Sequence, residues 1–309
     1  MMSHATAPGK IILFGEHAVV YQRPALAVPV LQVHADVDVS NSLEPGIWID
    51  APIINLAAEL STLAPAHPLR VIIENVFQAI GISNIPALKI RIISTIPVAS
   101  GLGSGAAVSV ALIRAISGCL SRRLSNEQVN QLAFEVEKIH HGNPSGIDNT
   151  VITFARPVYF IKGQRIETFH SSEPFTIVIG DTGISAPTRQ AVDDLRNLWQ
   201  AEPDRWNSVF DRVGEISRKA RRLIKNGEWQ QLGPLMDANH ALLQEMTVSS
   251  PELDHLVAAA KANGALGAKL SGGGRGGNML ALVTPGAAEK VARGLLAAGA
   301  RRTIITEIQ

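Results

Sequence analysis

Five of the six residues from Gly272 to Gly277 are glycine, and the run lies between two apolar segments. Glycine loses more backbone freedom on folding than any other residue, so such a cluster is seldom a mere connector. It calls for a backbone that comes close to something, either a ligand or another loop of the same chain. A second cluster, Gly101-Leu102-Gly103-Ser104-Gly105, precedes the apolar stretch 106–120. Eight of the 26 glycines fall in these two loops, so their placement constrains the fold more than their total does.

Periodicity frames the loops. Val33, Ala35, Val37 and Val39 alternate with His34, Asp36 and Asp38, and Leu88, Ile90 and Ile92 alternate with Lys89 and Arg91. A period of two predicts half-buried strands over 25–39 and 88–93. Helices are expected over 69–80, ended by Gly81, and over 104–120. Another starts at Ser125-Asn126-Glu127-Gln128, which matches a capping box ahead of Val129, Leu132, Val136 and Ile139. Segments 151–154 and 158–161 read as strands flanking Arg156-Pro157, and 175–180 as a third. A long helix ends at Gly227, a second covers 232–246, and a third covers 251–262 with Ser250 as its cap. Strand, glycine loop, strand, helix and strand complete the chain. The fold class is α+β, with two domains expected at 1–168 and 169–309.

Composition excludes several functions. With 46% hydrophobic residues in 309, the chain can bury a core. A net charge of +1 does not suit a protein that grips a phosphate backbone, so no nucleic-acid partner is expected. The lone Cys119 excludes an internal disulfide and a multi-thiolate metal site. The N-terminus lacks the pattern of a secretory signal, and no apolar run approaches the ~18–20 residues that span a bilayer. A soluble cytoplasmic protein with no membrane partner is the expectation, and a homodimer stays open.

The chemistry concentrates in four segments. Pro97-Val98-Ala99-Ser100-Gly101-Leu102-Gly103-Ser104-Gly105-Ala106 has the form of an anion cradle: glycines admit the backbone to a phosphate, and the first turn of the following helix offers unpaired N–H groups. No acidic residue occurs in the 52 residues from Asn75 to Asn126, which leaves the region without local repulsion of phosphate. Gly101, Gly103 and Ala106 also fit a dinucleotide fingerprint. However, the segment from the preceding strand is too long, and no acidic residue stands where a ribose would need one. The second segment is Lys269–Asn278, whose bare backbone suits approach to a ligand or to the first loop. The third, Lys10 to His17, sets a lysine and a Gly-Glu-His turn around a short apolar run. The fourth holds Glu137 and Asp148, one at a helix end and one in a Gly/Pro-rich loop. One carboxylate can hold Mg²⁺ while the other acts on an alcohol, the division of labour that phosphoryl transfer needs.

Taken in order, these segments resemble the GHMP kinase superfamily over nearly the whole length. The stretch His141-Gly-Asn-Pro-Ser-Gly-Ile-Asp148-Asn is most similar to the members that phosphorylate mevalonate. The resemblance implies a ribosomal-protein-S5-like N-terminal domain and a ferredoxin-like C-terminal domain. It implies ATP and Mg²⁺, with (R)-mevalonate as substrate and its C5 hydroxyl as acceptor. Asp148 would orient the hydroxyl and accept its proton, and Lys10 would pair with Asp148 and offset developing charge. Glu137 and Ser104 would bind Mg²⁺. Pro97, Ser100, Gly101, Leu102, Gly103, Ser104, Gly105 and Ala106 would hold the ATP phosphates. Lys10, Glu16, His17, Ser145, Asp148, Thr188 and Gly273 would line the substrate pocket.

Three departures stand out. Gly105 replaces a second serine of the phosphate loop. Ala186 stands where many relatives have an arginine, with Arg189 nearby. Arg275 interrupts the last glycine loop, either facing phosphate or substrate or pointing to solvent. Alternatives from the residues are a GHMP kinase acting on phosphomevalonate or homoserine, or a catalytically silent ligand sensor on the same fold.

Overall fold

The computed structural model describes residues 2–97, 100–141, 144–165, 167–185 and 188–309. The strands are β1 (Met2–Phe14), β2 (Ala25–Asn41), β3 (Ile47–Ala51), β4 (Leu56–Glu59), β5 (Leu88–Ser94), β6 (Val158–Phe160), β7 (Glu167–Thr168), β8 (Phe175–Asp181), β9 (Gly267–Ser271), β10 (Asn278–Val283) and β11 (Arg302–Ile308). The helices are α1 (Pro68–Ala79), α2 (Ser104–Cys119), α3 (Asn126–His141), α4 (Ile147–Phe154), α5 (Thr188–Ala201), α6 (Pro203–Asn226), α7 (Leu232–Glu245), α8 (Pro251–Ala262) and α9 (Ala288–Ala297). Contacts gather them into two units: Met1–Gly9 with Val33–Val98 and Gly103–Ala155, and Lys10–Gln32 with Ala99–Leu102 and Arg156–Gln309.

In the first unit β5 lies between β3, which is parallel to it, and the later part of β2, which is antiparallel. Val37 faces Ile92 and Val39 faces Ile90. All four are buried, so the alternation read from sequence turns one face of the sheet inward. Helix α2 packs on α1, α3 and α4, which accounts for its being apolar on almost every side. The capping box forms in both directions: Gln128 N–H donates to Ser125 Oγ at 3.3 Å, and Ser125 N–H donates to Gln128 Oε1 at 2.9 Å. Val129 and Val136 are buried as expected, while Ala133 joins them and Ile139 is exposed.

One expectation fails here. Segment 151–154 is not a strand but the end of α4. Its β-branched residues favour strand by propensity, but Ile147, Val151 and Ile152 point inward in the helix, and tertiary packing overrides the preference. Asn149 Nδ2 donates to Asn130 Oδ1 at 2.6 Å and to Asn130 O at 3.2 Å, which stitches α4 to α3.

The second unit carries a four-stranded antiparallel sheet in the order β11-β8-β10-β9 among the described residues. Its first strand in chain order thus sits between its third and fourth. With the helices between β8 and β9, and α9 between β10 and β11, this is ferredoxin-like topology, as the resemblance implies. β8 and β10 are buried along their whole length. The core around them includes Phe210, Val213, Leu243, Leu256, Val291 and Leu295. Helix α5, with Ala191 and Leu195 on its buried side, and the short strands β3 and β4 were not anticipated. No helix among the described residues is long and apolar enough to cross a membrane.

Candidate active site

The first unit supplies a helix N-terminus and two carboxylates. Gly103 caps α2 in the left-handed region at φ 75°, and Gly101 lies there too at φ 77°. Such angles are strained for any residue with a side chain. Ser104 is the first residue of α2, Gly105 the exposed second, and Ala106 is buried beneath them. Pro97 is buried at the entry to the loop. No acidic residue in its first turn opposes the positive dipole end of α2, a setting that suits an anion. Glu137 lies on α3 and is buried. Asp148 is half-buried in the first turn of α4, so its carboxylate rides on a helix rather than in an irregular loop as the sequence suggested. Ser145 Oγ accepts from Ile147 N–H at 3.3 Å just ahead of that helix.

The second unit gathers the Lys10 segment, the start of the Gly101 loop and the later glycine loop. Lys10 is buried, and its backbone N–H donates to Leu102 O at 3.0 Å. Ser271 Oγ donates to Ile12 O at 2.8 Å. The Glu16 carboxylate accepts from Lys269 Nζ, and both side chains are fully enclosed. His17 Nε2 donates to Gly273 O at 3.1 Å. Asn278, opposite Ser271 in the sheet, donates from Nδ2 to Ser100 O. The two glycine loops therefore meet, one of the two approaches their composition called for.

Burial sets the electrostatics of this cluster. It pushes the Glu16 carboxyl up, against the opposing charge of Lys269 and, last, of Lys10. It pushes the Lys269 ammonium down, against the charge of Glu16. The His17 imidazole is held at about 4 by burial; its bond to Gly273 opposes this, and the charges of Arg275 and Lys269 reinforce it. His17 is therefore a neutral donor at pH 7.

Arg275 does not simply point to solvent. Its guanidinium pairs with Asp194 of α5 and donates from Nε to Thr247 O at 3.3 Å, bracing the glycine loop. Arg189 is largely exposed, with Nε 3.8 Å from Asp193. Thr188 opens α5, but its side chain and all of Ala186 lie outside the described residues. The Lys269–Glu16 pair was missed altogether. The available signal was a lysine inside the short apolar strand Gly267-Ala268-Lys269-Leu270, since a buried lysine requires a partner.

A family model described as the GHMP kinases N terminal domain matches residues 67–156, and one described as GHMP kinases C terminal matches 220–301. Together with the ferredoxin-like unit and the paired glycine loops, these define the class as a GHMP kinase, an enzyme that uses ATP. The mevalonate kinase of Pyrococcus furiosus is 35% identical, over 98% of this chain and 95% of that one. The crystal structure of L. major mevalonate kinase in complex with R-mevalonate matches with a TM-score of 0.86 at 29% identity, covering 99% of this chain and 95% of that one. The chain belongs to the mevalonate kinase family. A phosphomevalonate kinase from Streptococcus pneumoniae shares the fold at a TM-score of 0.83 and 16% identity, covering 98% of this chain and 99% of that one, so fold alone does not choose the substrate.

Proposed function

We propose that the chain transfers the γ-phosphoryl group of ATP to the C5 hydroxyl of (R)-mevalonate, giving 5-phosphomevalonate and ADP for isoprenoid synthesis. The observation that carries this reading is the 35% identity to a mevalonate kinase over 98% of the chain, because the fold is common to kinases of other substrates. ATP as the donor is the reason for placing the reaction in the cytoplasm.

In this reading Asp148 orients the acceptor hydroxyl and takes its proton. Phosphoryl transfer has a loose transition state, so the proton need leave only late, and a carboxylate suffices as acceptor. The ammonium of Lys10 offsets charge on the transferring group. The backbone of Gly101, Gly103 and Gly105 and the first turn of α2 hold the phosphates, with Ser100, Leu102 and Ala106 shaping the loop beneath Pro97. Glu16, His17, Ser145, Thr188 and Gly273 belong to the pocket for mevalonate, where the neutral His17 adds no charge. Glu137 and Ser104 would hold Mg²⁺. A buried carboxylate and a hydroxyl are hard oxygen donors of the kind Mg²⁺ takes alongside substrate phosphates, so the donor set fits. When bound, the ion neutralises phosphate charge.

The test is ADP release with mevalonate, phosphomevalonate and homoserine in parallel. Turnover confined to mevalonate is expected, and a preference for either rival overturns the substrate. Asp148→Asn should lower kcat by at least about 100-fold while ATP still binds. Turnover near that of the wild type removes Asp148 from the chemistry.

A further inference from the structure

The two carboxylates given chemical roles above ride on different helices, Glu137 on α3 and Asp148 on α4. Their separation is only as well defined as the placement of α4 against α3. Both helices bury apolar side chains, Val129, Ala133 and Val136 on one and Ile147, Val151 and Ile152 on the other. Apolar contact is non-directional, so it holds two helices together without choosing their register.

Directional contacts between them centre on Asn130 among the described residues. Asn149, the neighbour of Asp148 in α4, is 2% exposed and donates from Nδ2 to Asn130 Oδ1 at 2.6 Å and to Asn130 O at 3.2 Å. Asn130 donates in turn from Nδ2 to Thr150 Oγ1 at 3.4 Å, and Thr150 Oγ1 donates to Gly146 O at 2.7 Å. One side chain of α3 thus grips two successive residues of α4 and, through Thr150, the glycine that caps that helix. Asn130 also precedes Glu137 by two turns on the same side of α3. The bridge is costly. Asparagine is a weak helix former, and the buried Asn149 Oδ1 has no hydrogen-bond partner among the described residues. An apolar side chain would serve cohesion better at 149, so the amide calls for another explanation.

We propose that Asn130 and Asn149 are positioning residues for Asp148: their hydrogen bonds set the register of α4 on α3 and so hold the Asp148 carboxylate, relative to Glu137, where the acceptor hydroxyl has to be met. The inference rests on the roles given to Asp148 and Glu137 above. Loss of the bridge leaves both carboxylates in the chain but frees one helix to shift on the other. A misplacement of about 1 Å at a reacting group can cost about a hundredfold in rate. The Gly101 loop takes no part in the bridge, so ATP binding should persist.

The experiment is kcat, KM for ATP and mevalonate, and the urea midpoint, for the wild type, Asn130→Ala, Asn130→Leu and the double variant Asn130→Leu with Asn149→Leu. Asn130→Ala puts the best helix former at a half-buried position and leaves Asn149 its bond to the backbone carbonyl, so it tests the idea even where the leucine variants do not fold. The expected result is a kcat at least about tenfold lower in every variant, with KM for ATP changed less than about threefold. The urea midpoint separates positioning from cohesion. Asn130→Leu strands the Asn149 amide, whereas the double variant removes both polar groups and should regain midpoint toward the wild type while its kcat stays low. A kcat for Asn130→Ala within about twofold of the wild type overturns the inference. So does a kcat that recovers with the midpoint in the double variant, or a KM for ATP that rises as steeply as kcat falls. A wild-type chain that does not phosphorylate mevalonate overturns the functional reading and this inference with it. An active wild type beside variants of undiminished kcat overturns this inference alone.

Discussion

The two glycine loops use the same residue for opposite ends. At Gly101 an added Cβ would meet, among the described residues, only Asn278 Nδ2, at 3.8 Å, so glycine there keeps the backbone open. At Gly274 an added Cβ would lie 1.8 Å from Val248 O, so glycine there lets two stretches of the chain close on each other. The later loop is also clamped by His17 at Gly273 and by Arg275 through Asp194 and Thr247. A glycine-rich sequence thus marks close approach without saying whether the visitor is a ligand or the protein itself.

Substitutions can break this contrast. Gly274→Ala has the largest expected effect, a loss of more than about 3 kcal/mol in urea denaturation, since it combines a backbone clash with a left-handed φ. A loss under about 1 kcal/mol makes the two loops equivalent after all. The clamp on the later loop comes next. The folded His17 imidazole, held near 4 against 6.5 when unfolded, gives stability that is fully present above about pH 6.5 and lost as pH falls toward 4. Between pH 7 and pH 5 the wild type should lose about 2 kcal/mol more than His17→Gln. Parallel losses in the two proteins rule out a buried neutral His17.

The open loop should respond in binding rather than stability. Gly101→Ala is expected to destabilise by about 1–2 kcal/mol through its positive φ. It should raise KM for ATP about tenfold, roughly one hydrogen bond to a charged group. A variant as unstable as Gly274→Ala removes the distinction. Gly105→Ser should do least. The position is exposed in the first turn of α2, where serine is a few tenths of a kcal/mol better than glycine, and kcat should stay within about threefold, the equivalent of well under 1 kcal/mol. Loss of ATP binding there contradicts the open cradle.

Much of this was legible in the residues, for reasons that differ by element. The start of α3 was readable because Ser125 and Gln128 answer each other within one turn, and the end of α6 because Gly227 takes the left-handed cap. Helix α4 was misread because its four β-branched residues from Thr150 to Thr153 report propensity, whereas α2 and α3 decide its conformation. Helix α5 was readable from Ala191, Leu195 and Leu198, spaced at four and three, and was overlooked. Among site residues, the glycines, Glu137 and Asp148 announced themselves through local context. The pairings of Lys269 and Arg275 did not, because their partners Glu16 and Asp194 stand 253 and 81 positions away.

That separation has a consequence for how the chain is made. The segment from Lys10 to His17 is synthesised well before its polar partners Lys269, Ser271 and Gly273, which arrive about 250 residues later. At roughly 5–20 residues per second, that segment waits on the order of 10–50 s for the groups that satisfy it. During that interval Glu16 has no cation from β9 and Ile12 no hydroxyl from Ser271. Completion of the Lys10 segment therefore waits for β9, and a ribosome stalled before β9 would hold a nascent chain whose most chemically important segment is still unanchored.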